Sequence, residues 1–197
     1  MSALDRLTKP FLLLVAALLL GGLMLTGFNL LLLGWSVYAI GHVGSIGAFL
    51  LIGWAYRERM DAWAWVGLGV LLAGLVAALP QVAQIWVDYS VTPSGLTMYV
   101  PSETPPIGML ASLVTWVGLA FYGLAARGAR ALPAGVGWVF VAAAIIGLLA
   151  DFGLISPLVW LGAMLLVTLG LLAVGSALAA AVSGEAGSDP IAFESPT

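Results

Sequence analysis

The chain has 197 residues, of which 62% are hydrophobic and only 8% are charged, and its formal net charge is −3. Soluble domains carry about 25% charged residues, so this composition excludes a water-exposed globule and predicts an integral membrane protein in contact with the lipid bilayer. The absence of cysteine and the presence of one histidine exclude disulfides, iron–sulfur clusters, thiolate catalysis and a histidine-rich metal site. We therefore expect no cofactor and no bound metal.

All basic residues lie in three short windows that are separated by long apolar runs. The windows are Arg6/Lys9, Arg57/Arg59 and Arg127/Arg130. Short loops rich in lysine and arginine stay cytoplasmic, and each gap between windows has room for two crossings of about 20 residues. The pattern predicts an all-α bundle of six transmembrane helices with both termini cytoplasmic, in a prokaryotic cytoplasmic membrane. No continuous basic face remains for a nucleic acid.

We predict a single transmembrane domain over residues 1–182. Its spans cover residues 11–33, 36–56, 62–80, 105–126, 133–153 and 157–182. Pro10 is predicted at the first helical position of the first span, where its missing N–H costs nothing. The first two spans are divided by a turn around residues 29–36. Trp35 and Tyr38, which follow that turn, are predicted to lie in the interfacial aromatic belt.

The segments between and after the later spans carry their own signals. Asp61 is predicted as the N-cap of the third span, because its carboxylate can accept from free backbone N–H groups, and Pro80 is expected to end or kink that span. Residues 88–104 contain no lysine or arginine, which predicts a loop on the outer side of the membrane. Residues 183–197 predict a disordered, acidic cytoplasmic tail.

Small residues recur three or four positions apart on the second and third spans. The glycines in this pattern are Gly41, Gly44, Gly47, Gly67, Gly69 and Gly74. Small side chains at this spacing let helix backbones approach closely in lipid. They predict helix packing, either within the bundle or against another membrane subunit.

Apart from tyrosines, His42 and Asp151 are the ionisable residues predicted to lie clearly within spans. A charged side chain at the centre of a span costs about 2.5–3.5 kcal/mol, so intramembrane ionisable residues are functional candidates. Both positions lie toward the outer face. They predict a polar pocket with Gln81 and Gln84 that opens outward and binds a small solute or relays a proton. In the alternative interpretation, Asp151 reaches interfacial water and His42 hydrogen-bonds a neighbouring carbonyl.

The sequence contains little that would support catalysis. Ser45 lies three residues from His42 on the same predicted helix, a spacing that does not build a catalytic triad. The leading hypothesis is a non-enzymatic accessory or scaffold subunit that docks on other membrane-protein subunits or on itself through its small-residue faces. The alternative is a small-solute or proton-coupled transporter or channel that uses the polar pocket, and an enzyme acting on lipid ranks third.

Overall fold

A computed structural model describes residues 3–27, 31–84, 106–154 and 158–183. Its six long helices are α1 Ala3–Gly27, α2 Leu31–Ala55, α3 Ala62–Ala77, α4 Pro106–Gly128, α5 Val136–Asp151 and α6 Leu158–Ser183. A turn at Ala78 separates α3 from a further helical stretch that reaches Gln84. Within these ranges the chain is helical and contains no strand, so the all-α prediction is confirmed for the described residues.

Four helical stretches of the described chain are long and apolar enough to cross a membrane. They are Leu33–Ala55, Ala62–Gln84, Gly108–Gly128 and Val159–Leu178. The apolar parts of the other two helices are shorter and cover Pro10–Leu25 and Val136–Asp151. By length and composition, therefore, this is a helical bundle with four candidate membrane spans.

The six helices form a ring in which each helix packs mainly against two neighbours. The order around the ring is α1, α2, α3, α4, α5, α6 and back to α1, and the contact between α2 and α3 is the weakest of the six. Neighbours run antiparallel. On the α1–α2 interface, for example, Gly41 lies against Leu19 and Gly47 against Phe11. The helix termini therefore gather at two opposite ends of the ring.

One end of the ring, here called the basic end, holds every lysine and arginine of the chain. It contains the start of α1, the segments 56–61 and 129–135, and the end of α6. Arg57 lies 4.7 Å from the ring of Trp54, and Arg127 lies 4.7 Å from the ring of Trp138. Asp61 caps α3 by accepting from the N–H of Ala64 at 2.8 Å, which confirms the N-cap predicted there.

The first two helices differ from their predicted bounds. α1 begins at Ala3 and contains Pro10 in its interior, so the prediction that Pro10 takes the first helical position is wrong. α2 begins at Leu31, so the turn expected over 29–36 is also misplaced. Gly34 is buried and Trp35 half-buried in the first turns of α2, because their packing against other helices overrides the turn preference of a short Gly-Trp-Ser run.

The glycines explain how closely the helices pack. A Cβ at Gly44 would lie 2.9 Å from Cγ2 of Val15 on α1, and one at Gly67 would lie 2.8 Å from the backbone of Tyr122 on α4. Gly74 likewise contacts the backbone of Thr115 on α4. The packing prediction does not extend to Gly69, which is exposed and has nothing within 4 Å of its Cβ position, because it points away from the partner of α3.

Candidate functional site

The end of the ring opposite the basic end encloses a cavity of about 450 Å³ that is lined by residues of all six helices. We call this the cavity end. Most lining residues are apolar or aromatic, and Asp151, Gln81 and Leu161 reach the surface. In the part of the chain that the structure describes, the cavity therefore opens at this end. Its volume lies in the range of pockets that bind small molecules, about 300–1,000 Å³.

The structure brings three of the four predicted pocket residues to this cavity. His42 on α2, Gln81 in the helical stretch after α3, and Asp151 on α5 all line it. Gln84 is exposed and is not part of the lining, since it lies most of a helical turn beyond Gln81. The predicted outer loop, residues 88–104, and residues 184–197 of the predicted tail lie outside the described residues.

His42 connects α2 and α3, the neighbouring helices whose contact is the weakest in the ring. Its Nε2 lies 3.2 Å from the carbonyl oxygen of Leu75 on α3, so the ring carries a proton on Nε2 and donates it to this carbonyl. Leu75 lies just before the turn at Ala78 and Pro80, where proline has no N–H and interrupts the helical hydrogen bonding. His42 is 9% exposed, and its bond bridges the α2–α3 contact inside the cavity wall.

Asp151 is the last residue of α5 and is held by two side chains of α4. Its Oδ2 accepts from Nε1 of Trp116 at 2.6 Å and from the hydroxyl of Ser112. The negative end of a helix dipole disfavours a carboxylate at this position, and the two donors offset that effect. Gly147, one turn earlier on α5, has no side chain and leaves space for the indole of Trp116.

His42 and Asp151 share the cavity without forming an ion pair. Each is bound to a different partner, namely the Leu75 carbonyl and the Trp116–Ser112 pair. The described structure contains no direct salt bridge between them. The two ionisable residues therefore make separate contributions to the same cavity.

The aromatic wall of the cavity was not predicted from the sequence. Trp35 and Tyr38 contact each other with ring centroids 5.3 Å apart, and Tyr38 lies 5.9 Å from Trp160 on α6. Tyr38 is only 7% exposed and lines the cavity, so its ring faces the interior of the bundle. Trp116 was also missed, although its position in the middle of a predicted span, far from either interface, was the available signal.

Toward the basic end the bundle is filled by aromatic packing. Phe49 forms the floor of the cavity and lies 6.1 Å from Tyr122 and 5.7 Å from Phe140 between ring centroids. Tyr122 and Phe140 are fully buried. In the described structure the cavity thus ends at this aromatic layer, which suits a binding site better than an open channel.

Ser45 does not offer a nucleophile to the cavity. Its hydroxyl donates to the backbone carbonyl of His42 at 2.6 Å, the usual bond of a serine within a helix. The described residues contain no group of three or more metal-ligating side chains. No family model, no curated protein and no solved structure matches this chain.

Proposed function

We propose that the chain is a six-span protein of a prokaryotic cytoplasmic membrane that binds a small amphipathic molecule from the outer side, as a solute transporter or receptor does. The supporting observation is the cavity of about 450 Å³, which all six helices line at the end opposite the basic residues. Basic loops stay in the cytoplasm, so under this proposal the cavity end faces outward and both termini are cytoplasmic.

The shape of the cavity favours binding over conduction. An aromatic floor formed by Phe49 with Tyr122 and Phe140 closes it toward the basic end. A carrier that alternates between two faces holds its site closed on one side at a time, usually by moving one group of helices against another. In such a carrier, this ring would open between α2 and α3, because their contact is the weakest in the ring and its loss would cost the least packing.

An accessory or scaffold subunit remains a prediction with less support. It depended on glycine faces that could dock on a partner. Gly41, Gly44, Gly47, Gly67 and Gly74 all face other helices of this chain. Their small size is explained by packing within the bundle.

The test measures how fast a single introduced cysteine reacts. Because the sequence contains no cysteine, the introduced thiol is the only one that can react. Ser112 lines the cavity, so Ser112→Cys should react with a membrane-impermeant thiol reagent applied to intact cells. Adding Ala78→Trp, which places an indole in the cavity, should slow that reaction at least about tenfold. Ala77→Trp is the matched control, because Ala77 is exposed and is not part of the lining.

Two results would contradict this proposal. Reaction of Ser112→Cys only after the cells are permeabilised would place the cavity on the cytoplasmic side or show it closed. Equal rates with Ala78→Trp and Ala77→Trp would show that reagents reach Ser112 by a route other than the cavity.

A further inference from the structure

We propose that the ligand of the cavity is an organic monocation, an amine or quaternary onium group on an apolar body. This inference rests on the proposed function and names its substrate class. It is carried by the juxtaposition of an aromatic wall and a single carboxylate in a cavity whose described lining contains no lysine or arginine.

The aromatic wall provides the faces that recognise a cation. Trp35 and Tyr38 meet edge to face at 5.3 Å, and Tyr38 lies 5.9 Å from Trp160. Trp116 adds a fourth ring from α4. A cation within about 6 Å of such ring centroids is attracted by the ring quadrupoles, and cages of several aromatic rings are the usual site for quaternary ammonium groups. The same rings contact the apolar body of the ligand.

Asp151 provides the countercharge. Both of its described donors, Trp116 and Ser112, bind Oδ2, which leaves Oδ1 able to accept from a ligand. The carboxylate lies at the last residue of α5, where the helix dipole is unfavourable to it. A bound cation at this position therefore relieves repulsion as well as adding attraction.

The distribution of charge excludes an anionic ligand on electrostatic grounds. All lysines and arginines are at the basic end, and Asp151 is the one carboxylate among the described residues that line the cavity. His42 donates its Nε2 proton to the Leu75 carbonyl. An anion entering here would meet the Asp151 carboxylate and no lysine or arginine, while a cation would be attracted to that carboxylate.

A neutral apolar ligand and a metal ion fit less well. A purely apolar molecule would gain nothing from Asp151 and would leave this carboxylate without a countercharge in the cavity. A hard metal ion needs several oxygen ligands, and the described residues hold no such cluster. The onium group satisfies the carboxylate and the rings together.

The test compares two probes of the same shape and opposite charge, tetraphenylphosphonium and tetraphenylborate. Binding is measured by titration calorimetry on the full chain in phosphatidylcholine nanodiscs, with subtraction of heats from empty nanodiscs. We expect tetraphenylphosphonium to bind at least about tenfold more tightly than tetraphenylborate. Asp151→Asn should remove about tenfold or more of the cation affinity, because it removes the countercharge and keeps the shape of the side chain.

Two control variants separate charge at the site from total charge and from folding. Glu58→Gln removes one carboxylate at the basic end, where Glu58 is 86% exposed, and should leave cation binding unchanged. Trp160→Leu should weaken tetraphenylphosphonium about tenfold, whereas Trp160→Phe should retain most of the affinity. Each variant is checked for the parent's thermal unfolding before titration.

The possible results test the cation assignment separately from the proposed small-molecule cavity. Equal affinity for the two ions, with both lost in Ala78→Trp, would overturn the cation assignment and leave a small-molecule cavity in place. Unchanged cation affinity in Asp151→Asn would also overturn it. If neither ion binds the parent, the cation assignment fails, and the reactivity of Ser112→Cys then decides whether the cavity itself is open to the outside.

Discussion

At the scale of single residues, His42 and Asp151 have different surroundings within the bundle. His42 hydrogen-bonds a carbonyl of the neighbouring helix, which is the structural alternative that its sequence position also allowed. Asp151 accepts from two side chains of α4, so it is more than a carboxylate that reaches interfacial water. The cost of an ionisable group in a membrane identified both residues as candidates. Only their hydrogen-bond partners in the structure show that His42 connects α2 to α3 and that Asp151 contributes a carboxylate to the cavity.

His42→Phe should destabilise the protein by about 1 kcal/mol, the usual net value of one such hydrogen bond. Phenylalanine keeps a ring of similar size but cannot donate to the Leu75 carbonyl. Hydrogen–deuterium exchange should rise around residues 72–82, at the end of α3 and in the helical stretch after it, since the α2–α3 contact loses its bridging bond. Thermal unfolding in detergent, followed by tryptophan fluorescence, measures the loss of stability.

Val43→Phe is the matched control for this change. Val43 is the next residue on α2 and is 56% exposed, so a phenylalanine there adds the same ring on the outer face of the bundle. It should leave both the unfolding temperature and the exchange pattern unchanged. If His42→Phe also leaves exchange in α3 unchanged, the bond to Leu75 does not hold the two helices together.

At the scale of helices, the backbone contacts between α3 and α4 decide how the bundle packs. Gly67 lies against the backbone of Tyr122, Gly118 against that of Leu71, and Gly74 against that of Thr115. The glycines thus alternate between the two helices. Periodic small residues predicted that some face would pack closely, but sequence alone could not separate Gly69 from Gly67 and Gly74, because the direction of the partner helix decides which side of α3 is covered.

Gly74→Leu should destabilise the bundle by about 1–3 kcal/mol or more, because the side chain has to enter space occupied by the backbone of α4. Gly69→Leu places the same side chain on the same helix, where nothing lies within 4 Å, and should be neutral or slightly stabilising through better helix propensity. Thermal unfolding in one detergent compares the two variants. Equal melting of Gly74→Leu and the parent would show that α3 and α4 do not meet at this glycine.

At the scale of the whole molecule, the sequence predicted the helical class and the gathering of basic residues at one end. Both follow from composition and from the spacing of a few charges. The cavity could not be predicted in the same way. Its walls come from residues far apart in the chain, such as Tyr38 and Trp160, and nothing in a local hydrophobic run tells a tryptophan that faces lipid from one that faces a cavity.

One of the two helices with a short apolar part is α5, whose 16 residues extend about 24 Å at 1.5 Å per residue, less than the roughly 30 Å of a bilayer core. Its packing between α4 and α6 nevertheless favours a crossing, because a helix lying on the surface could not join this ring. Leu154, just after α5, is 71% exposed, and Ala134, just before it, is exposed at the basic end.

Single cysteines at these two positions therefore test the crossing of α5 and the orientation of the bundle together. Leu154→Cys should react with an impermeant thiol reagent on intact cells, as should Ser94→Cys in the segment between α3 and α4. Ala134→Cys should react only after permeabilisation, because the positive-inside rule predicts that the segment next to Arg127 and Arg130 is cytoplasmic. If Leu154→Cys behaves like Ala134→Cys, α5 does not cross and the chain has fewer than six spans. If all three patterns are reversed, the basic windows face outward and the cavity opens to the cytoplasm.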